Sequence, residues 1–142
     1  MRITEEDVLK SVISTLKNNG FNVVADDVEE GYKEPAIFVG CYPAEIERLC
    51  GNLERVTDSI SMEYHPAIKT RVQCMRAAKQ LRNAFMYNYL EVGDRVFTVE
   101  DITFDIDTKE CVLSCEFEIV YEQPMPDNEE YEEIETLEIG GI

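Results

Sequence analysis

Positive charge is scarce in this sequence. It has 13 Lys and Arg against 30 Asp and Glu, which gives a formal net charge of −17 over 142 residues. No Lys or Arg follows Lys109, whereas residues 110–138 contain 11 acids. Such a surface repels phosphate backbones. The charge therefore argues against sequence-specific nucleic-acid binding through a broad basic face and favours a partner with a locally basic surface.

Long apolar runs are also lacking. No stretch approaches the roughly 18 apolar residues that a membrane-spanning helix needs. The first ten residues, MRITEEDVLK, are polar and acidic, unlike a secretory signal peptide. We expect a soluble protein that is made in the cytoplasm and has no membrane segment. Its 44% hydrophobic residues and its length fit one globular domain.

Motifs of catalysis are missing as well. The one histidine, His65, precedes a proline, and nothing local suggests the nucleophile or the acid positioned by the fold that a catalytic role would need. There is no nucleophile elbow, no H-E-x-x-H and no dinucleotide fingerprint. The acid pairs within residues 26–30 lack the regular spacing of a calcium-binding loop. We expect no enzymatic activity and no cofactor.

The cysteines are odd in number and form no C-x-x-C pair, which favours reduced thiols over a disulfide scaffold. Cys111 and Cys115 have the spacing of half a metal site, but the other ligands are missing. On an alternating strand both side chains would point into the core, so we expect packing and no metal. The five cysteines are Cys41, Cys50, Cys74, Cys111 and Cys115.

Apolar spacing predicts two helices and five strands. The first helix follows an N-cap at Thr4 and ends at Asn19-Gly20, and the second spans Ala67 to Tyr87. Strands are predicted at 21–25, 35–42, 56–64, 95–107 (bulged near Glu100) and 111–121, with a loop at 43–52 and turns at 26–34 and 107–109. The order α-β-β-β-α-β-β predicts an α+β domain over residues 1–123. We expect a mostly antiparallel sheet with two main helices packed on it.

The second predicted helix is a basic island. No acid occurs between Glu63 and Glu91. The five basic residues in this interval are Lys69, Arg71, Arg76, Lys79 and Arg82. A solvated helix face would explain them, and so would an interface with an acidic partner.

Residues 124–142 change in character, because they are acidic and broken by proline yet contain Ile134, Leu137 and Ile139. Disorder would explain the composition, but so would an arm that lays these apolar residues on a neighbouring subunit by strand addition. Its glutamates would then meet Lys69, Arg76 and Lys79 of that neighbour. A repeated heterologous contact of this kind closes into a ring when the rotation allows.

The ordered set of motifs resembles the tail terminator family of tailed bacteriophages, in particular small proteins from phages and prophages of Gram-positive bacteria. The matching stretches are the N-terminal helix, "DDVEEGYKEPAIFVGCYP" and "GNLERVTDSISMEYHP". In that family a turn of the form E-x-G-[FY]-x-x-P precedes an apolar strand. A strand ending in [YH]-P and an amphipathic helix follow. The likeness covers residues 1–121.

The resemblance implies a non-enzymatic virion protein of the tail and neck region, assembled in the host cytoplasm. Family members form a ring, commonly a hexamer, on the last ring of tail tube protein. The ring stops polymerisation and presents a surface to the neck or head-completion protein. Two alternatives stay open: another neck component, such as a head-completion or connector protein, and an acidic DNA-mimic inhibitor suggested by the charge of −17.

Overall fold

A computed structural model describes residues 2–24 and 32–126. Helix α1 (Glu5–Asn18) begins at the predicted N-cap. The Thr4 hydroxyl accepts a hydrogen bond from the Asp7 N–H, and the Asp7 carboxylate accepts one from the Thr4 N–H. The helix ends before Gly20, whose φ of +85° is the left-handed conformation that glycine adopts without strain. Both predicted ends of this helix are confirmed.

The main sheet has five strands in the order β1-β2-β3-β7-β6. Its neighbours are antiparallel except for the short parallel pair β1–β2. Strands β4 and β5 form a separate hairpin. The α+β class and the mostly antiparallel sheet are confirmed. The remaining elements are β1 (Val23–Val24), β2 (Ala36–Arg48), β3 (Leu53–His65), α2 (Arg71–Phe85), β4 (Leu90–Val92), β5 (Arg95–Phe97), β6 (Thr103–Asp107) and β7 (Val112–Pro124).

The predicted loop at 43–52 is wrong, because β2 continues to Arg48 and pairs with β3 along its whole length. Proline and repeated acids in this stretch suggest a loop, but pairing with the long, regular β3 overrides that local preference. The ladder accommodates Pro43 by a register shift between Pro43 and Glu45. Only a tight turn remains, with Gly51 at a φ of +74°.

The predicted bulged strand at 95–107 is also wrong. Its first part is β5, which pairs with β4, and its last part is β6, which pairs with β7. The change of phase near Glu100 therefore marks the passage of the chain between two sheets, and Val99 is buried there. Periodicity alone does not distinguish a bulge from such a passage.

Helix α2 is shorter than predicted, since it begins after a cap at Thr70, whose hydroxyl accepts a hydrogen bond from the Gln73 N–H. Ala67 lies before that cap and is exposed, so its place in the buried stripe was wrong. Cys74, Leu81 and Phe85 of the predicted stripe are buried. Ala78 is half-buried, and Ala77 and Ala84 complete the stripe.

The core lies between the helices and one face of the sheet. Strand β7 supplies the most regular part, since its alternate residues from Leu113 to Tyr121 are buried as predicted. The Phe117 ring packs on Phe85 of α2, with their centroids 5.1 Å apart. Cys111 lies in the turn before β7 at a φ of +53°, so it does not share the inward face of the strand as predicted. Both helices therefore pack on the same face of the sheet, which is called the covered face.

Candidate assembly surfaces

Histidine is often catalytic, but the contacts of His65 in this fold are structural. His65 ends β3 and packs against the rings of Phe38 and Tyr32, with centroids 5.3 Å and 6.0 Å away. Its Nε2 is 3.3 Å from a carboxylate oxygen of Glu63. Two aromatic rings and one carboxylate hold the imidazole at the sheet surface, and this arrangement contains no nucleophile.

All five cysteines are free thiols. Cys115 is buried beneath the helices, and burial raises its thiol pKa to about 12, which keeps it protonated and unreactive. The Cys74 thiol donates to the Cys111 carbonyl at 3.3 Å. Among the described residues, no group of three or more His, Cys, Asp or Glu side chains is placed to hold a metal ion. The same part of the chain contains no helix that is long and apolar enough to span a membrane.

One polar side chain lies inside the core. Asp58 interrupts the apolar face of β3 and is fully buried. The Tyr121 hydroxyl donates to its Oδ2 at 2.8 Å, whereas its Oδ1 has no hydrogen-bond partner among the described residues. Burial and the nearby Glu5 raise the carboxyl pKa to about 6, against the opposing effect of the Tyr121 hydrogen bond. The sequence singles out Asp58 as an interruption but does not reveal this environment.

A second buried polar group joins the chain start to the end of β7. The Gln123 side chain accepts from the Ile3 N–H at 2.9 Å and donates to the Ile3 carbonyl at 3.2 Å. Arg2 forms an ion pair with Glu54 at 3.0 Å. Sequence reasoning missed this group. The alternation of β7 could have predicted it, because the inward-facing positions continue from Tyr121 to Gln123.

The face of the main sheet that points away from the helices is called the open face here. β5 and the connection after it border one part of this face, where residues within 95–101 line hollows together with Ser59, Val120 and Glu122. The open face is rich in small polar and acidic side chains. Its residues are Phe38, Gly40, Tyr42, Arg55, Thr57, Ser59, Ser61, Glu63, Thr103, Asp105, Ser114, Glu116, Glu118, Val120 and Glu122.

The open face is acidic around a shallow depression. Gly40 and Ser61 are directly paired across β2 and β3. Because Gly40 has no side chain and that of Ser61 is small, a hollow of about 430 Å³ lies over them. Its walls include Glu63, Asp105 and Glu116. Three carboxylates so close together favour a partner with positive charge.

Farther along the open face, positive charge is compensated within the sheet. The Arg55 guanidinium contacts Glu122 of β7 at 2.8 Å and Glu47 of β2 at 3.3 Å. This three-strand ion network holds the end of the β2–β3 hairpin in register. The hairpin end leaves Ile46 and Leu53 59% and 42% exposed. They lie on opposite faces, because Ile46 pairs with buried Val56.

The outer side of α2 carries the opposite charge. Arg71, Arg76, Lys79 and Arg82 are exposed, and within the described part of the chain none of them forms an ion pair. Lys69 differs, because it pairs with Glu34 of its own chain. Of the three predicted interface bases, only Arg76 and Lys79 therefore belong to the surface called the basic face here. Three exposed apolar residues lie beside that surface: Ile68, Val72 and Met75.

A groove of about 400 Å³ lies between α2 and the edge strand β6. Its floor is apolar, with Ala78, Phe104 and Ile106, and Lys79 and Arg82 stand at its rim. The Arg82 guanidinium donates to the Tyr87 hydroxyl at 2.8 Å. The other predicted interface residues, Ile134, Leu137 and Ile139, lie outside the described residues.

Two comparisons with known proteins bear on these surfaces. A search of curated proteins found no match to the chain. A family model described as phage tail terminator protein matches residues 7–132 of the 142, a range that contains nearly all of α1, all of α2 and every strand described above. The chain therefore belongs to the phage tail terminator family and has a structural role in the virion tail.

Proposed function

We propose that this protein forms a homo-oligomeric ring, a hexamer as is common in the family, that caps the tail tube and stops its polymerisation. The ring then joins the tube to the neck or head-completion protein. It acts without catalysis, after assembly in the host cytoplasm. The observation that carries this proposal is the opposite charge on the two sides of the sheet.

The acidic open face and the basic face of α2 point in opposite directions, because α2 packs on the covered side of the sheet through Phe85 and Phe117. A surface of one charge binds the unlike surface of another copy, which is a heterologous contact. Contacts of this kind produce closed rings when the rotation between copies divides a full turn, and open filaments when it does not. The charge distribution therefore favours a ring over a two-fold dimer.

The hairpin end supplies a different kind of surface. Ile46 and Leu53 are exposed near the β2–β3 turn, one on each face of the sheet. Exposed apolar side chains are available for contact with a partner. We assign this end to the contact with tail tube protein. A cap needs such a surface on one side of the ring only, so that a further ring cannot be added.

Deleting the gene from the phage tests the proposal. We expect particles with overlong tubes, and complementation with the wild-type chain restores the normal length. Tubes of normal length that fail to join heads would instead favour a head-completion or connector protein, the first alternative above.

The acidic DNA-mimic alternative has one observation in its favour, since carboxylates spread across the open face from Glu63 to Glu122. Arg55 interrupts them and is paired on both sides. Capture of a DNA-processing enzyme by the purified chain, with release by duplex DNA, would support this alternative. Overlong tubes without any such capture would refute it.

A further inference from the structure

The groove between α2 and β6 has a chemical character that matches one segment of this chain. Its floor is apolar and its rim is basic, with Lys79 and Arg82. Residues 127–142 carry seven acids and no base, together with Ile134, Leu137 and Ile139. The apolar side chains of this segment would fit the floor of the groove, and its glutamates would pair with the bases at the rim.

The path of the chain indicates whose groove is filled. The groove contains Leu113 at the start of β7, whereas the chain leaves the domain at Pro124, eleven residues farther along the strand. At the rise of a β-strand this separation is about 36 Å. The Met125 N–H donates to the Asn52 carbonyl at 2.7 Å, so the chain leaves beside the β2–β3 turn. The exit therefore lies at the far end of the sheet from the groove.

The length of the remaining segment limits a return to its own groove. Leu137 is thirteen residues beyond Pro124, and a fully extended chain of that length spans about 47 Å at most. To place Leu137 in its own groove, the segment would have to run back along the whole domain at about three quarters of its full extension. In the proposed ring, the open face that ends at Pro124 packs against the α2 side of the next copy. The groove lies on that α2 side, so the ring presents the groove of one copy to the copy that carries the segment.

We propose that residues 124–142 form an arm that docks in the α2–β6 groove of a neighbouring copy, with Leu137 and Ile139 on the apolar floor and glutamates at Lys79 and Arg82. This inference rests on the proposed ring. The interface expected from the sequence, with Lys69, Arg76 and Lys79 of the neighbour, stays a prediction. The groove adds Arg82 at its rim, and Lys69 also pairs with Glu34 of its own chain. The arm would lock the ring after its charged faces have met.

Photo-crosslinking in the full chain tests this docking. The photoreactive residue p-benzoylphenylalanine replaces Leu137, and equal amounts of nitrogen-15-labelled and unlabelled chains are mixed before assembly. Mass spectrometry then identifies the crosslinked peptides and shows whether they join two copies. We expect crosslinks between Leu137 and the Met75–Ile106 region of another copy. Crosslinks within one chain only, crosslinks to other surfaces, or none at all would overturn the proposal.

Charge reversal supplies the matched comparison. Lys79→Glu is expected to lower the yield of groove crosslinks about tenfold, the effect of roughly 1.4 kcal/mol of lost contact. Lys17→Glu, an exposed base on α1, is the control and should leave the yield unchanged. A combination of Lys79→Glu with Glu135→Lys and Glu138→Lys should restore it. A yield that does not respond to Lys79→Glu would contradict the assigned rim contact.

The mass of the same samples in solution separates the two proposals. Rings without groove crosslinks would overturn the arm docking and leave the proposed function intact. Monomers at every concentration, without crosslinks between copies, would overturn both.

Discussion

Replacing Asp58 by Asn tests the buried carboxyl at the centre of the sheet. This group has a pKa of about 6 in the folded chain against its ordinary value of 3.8, which corresponds to about 3 kcal/mol between the two protonation states. The folded state therefore binds the proton more tightly than the unfolded state. The contribution of Asp58 to stability falls as pH rises from about 4 to about 6 and stays low above that. At pH 8 the folded protein therefore contains a buried charge that accepts one hydrogen bond from the described residues.

The neutral amide removes this penalty. Asp58→Asn is expected to be more stable than wild type at pH 8. Its advantage should shrink by about 1 kcal/mol between pH 8 and pH 5, because pH 5 lies below the folded pKa of Asp58 and its carboxyl is then mostly protonated. Values below pH 5 are avoided because the sequence pI is about 4.3. The groups that face Asp58 are Glu5 from α1, Cys41 from β2 and Tyr121 from β7.

Urea unfolding at several pH values measures the difference in the free energy of unfolding between Asp58→Asn and wild type. All samples are kept at one protein concentration, because oligomerisation adds stability that depends on concentration. Glu91→Gln serves as the control, because Glu91 is an exposed carboxylate on β4, outside both proposed subunit contacts. The control should show the same pH dependence as wild type. A constant free-energy difference between Asp58→Asn and wild type from pH 5 to pH 8 would refute the raised pKa.

The remaining predictions concern the core and the two ends of the proposed contacts. Tyr121→Phe removes the hydroxyl that donates to Asp58 and should cost about 1–3 kcal/mol at pH 8, and less at pH 5, where the carboxyl is protonated; an equal cost at both pH values in urea unfolding would speak against it. Glu116→Lys places a positive charge in the acidic depression and should reduce the ring fraction in analytical ultracentrifugation, whereas Lys17→Glu should not. Unchanged ring formation would show that the open face is not a subunit contact. Ile46→Asp at the hairpin end should leave the melting temperature and the ring intact but abolish binding to tube ends in a sedimentation assay. Full binding by this variant would place the tube contact elsewhere.

Local signals in the sequence predicted much of the fold. Thr4 and Asp7 reveal the start of α1, and the alternation from Leu113 to Tyr121 reveals β7, because both patterns depend only on neighbours in the chain. The continuation of β2 to Arg48 was missed, since it depends on pairing with a distant strand. The separation of β5 from β6 was missed for the same reason.

The assembly surfaces were only partly predictable. The absence of acids between Glu63 and Glu91 already identified the basic face. The sequence could not show that Glu34 engages Lys69, or that Arg82 stands with Lys79 at the rim of a groove. These relations join residues on different elements and arise only when the sheet brings them together. The acidic open face has the same origin, because its carboxylates come from three separate strands.

The most direct test of the account is the mass of the full chain in solution, measured alone and with purified tail tube protein, followed by electron microscopy of the tube ends. We expect a ring of six times the 16.3 kDa chain mass, seated on one end of each tube and preventing its further growth. Chains that stay monomeric with tube protein present, or tubes that continue to grow at saturating concentrations of the protein, would contradict it.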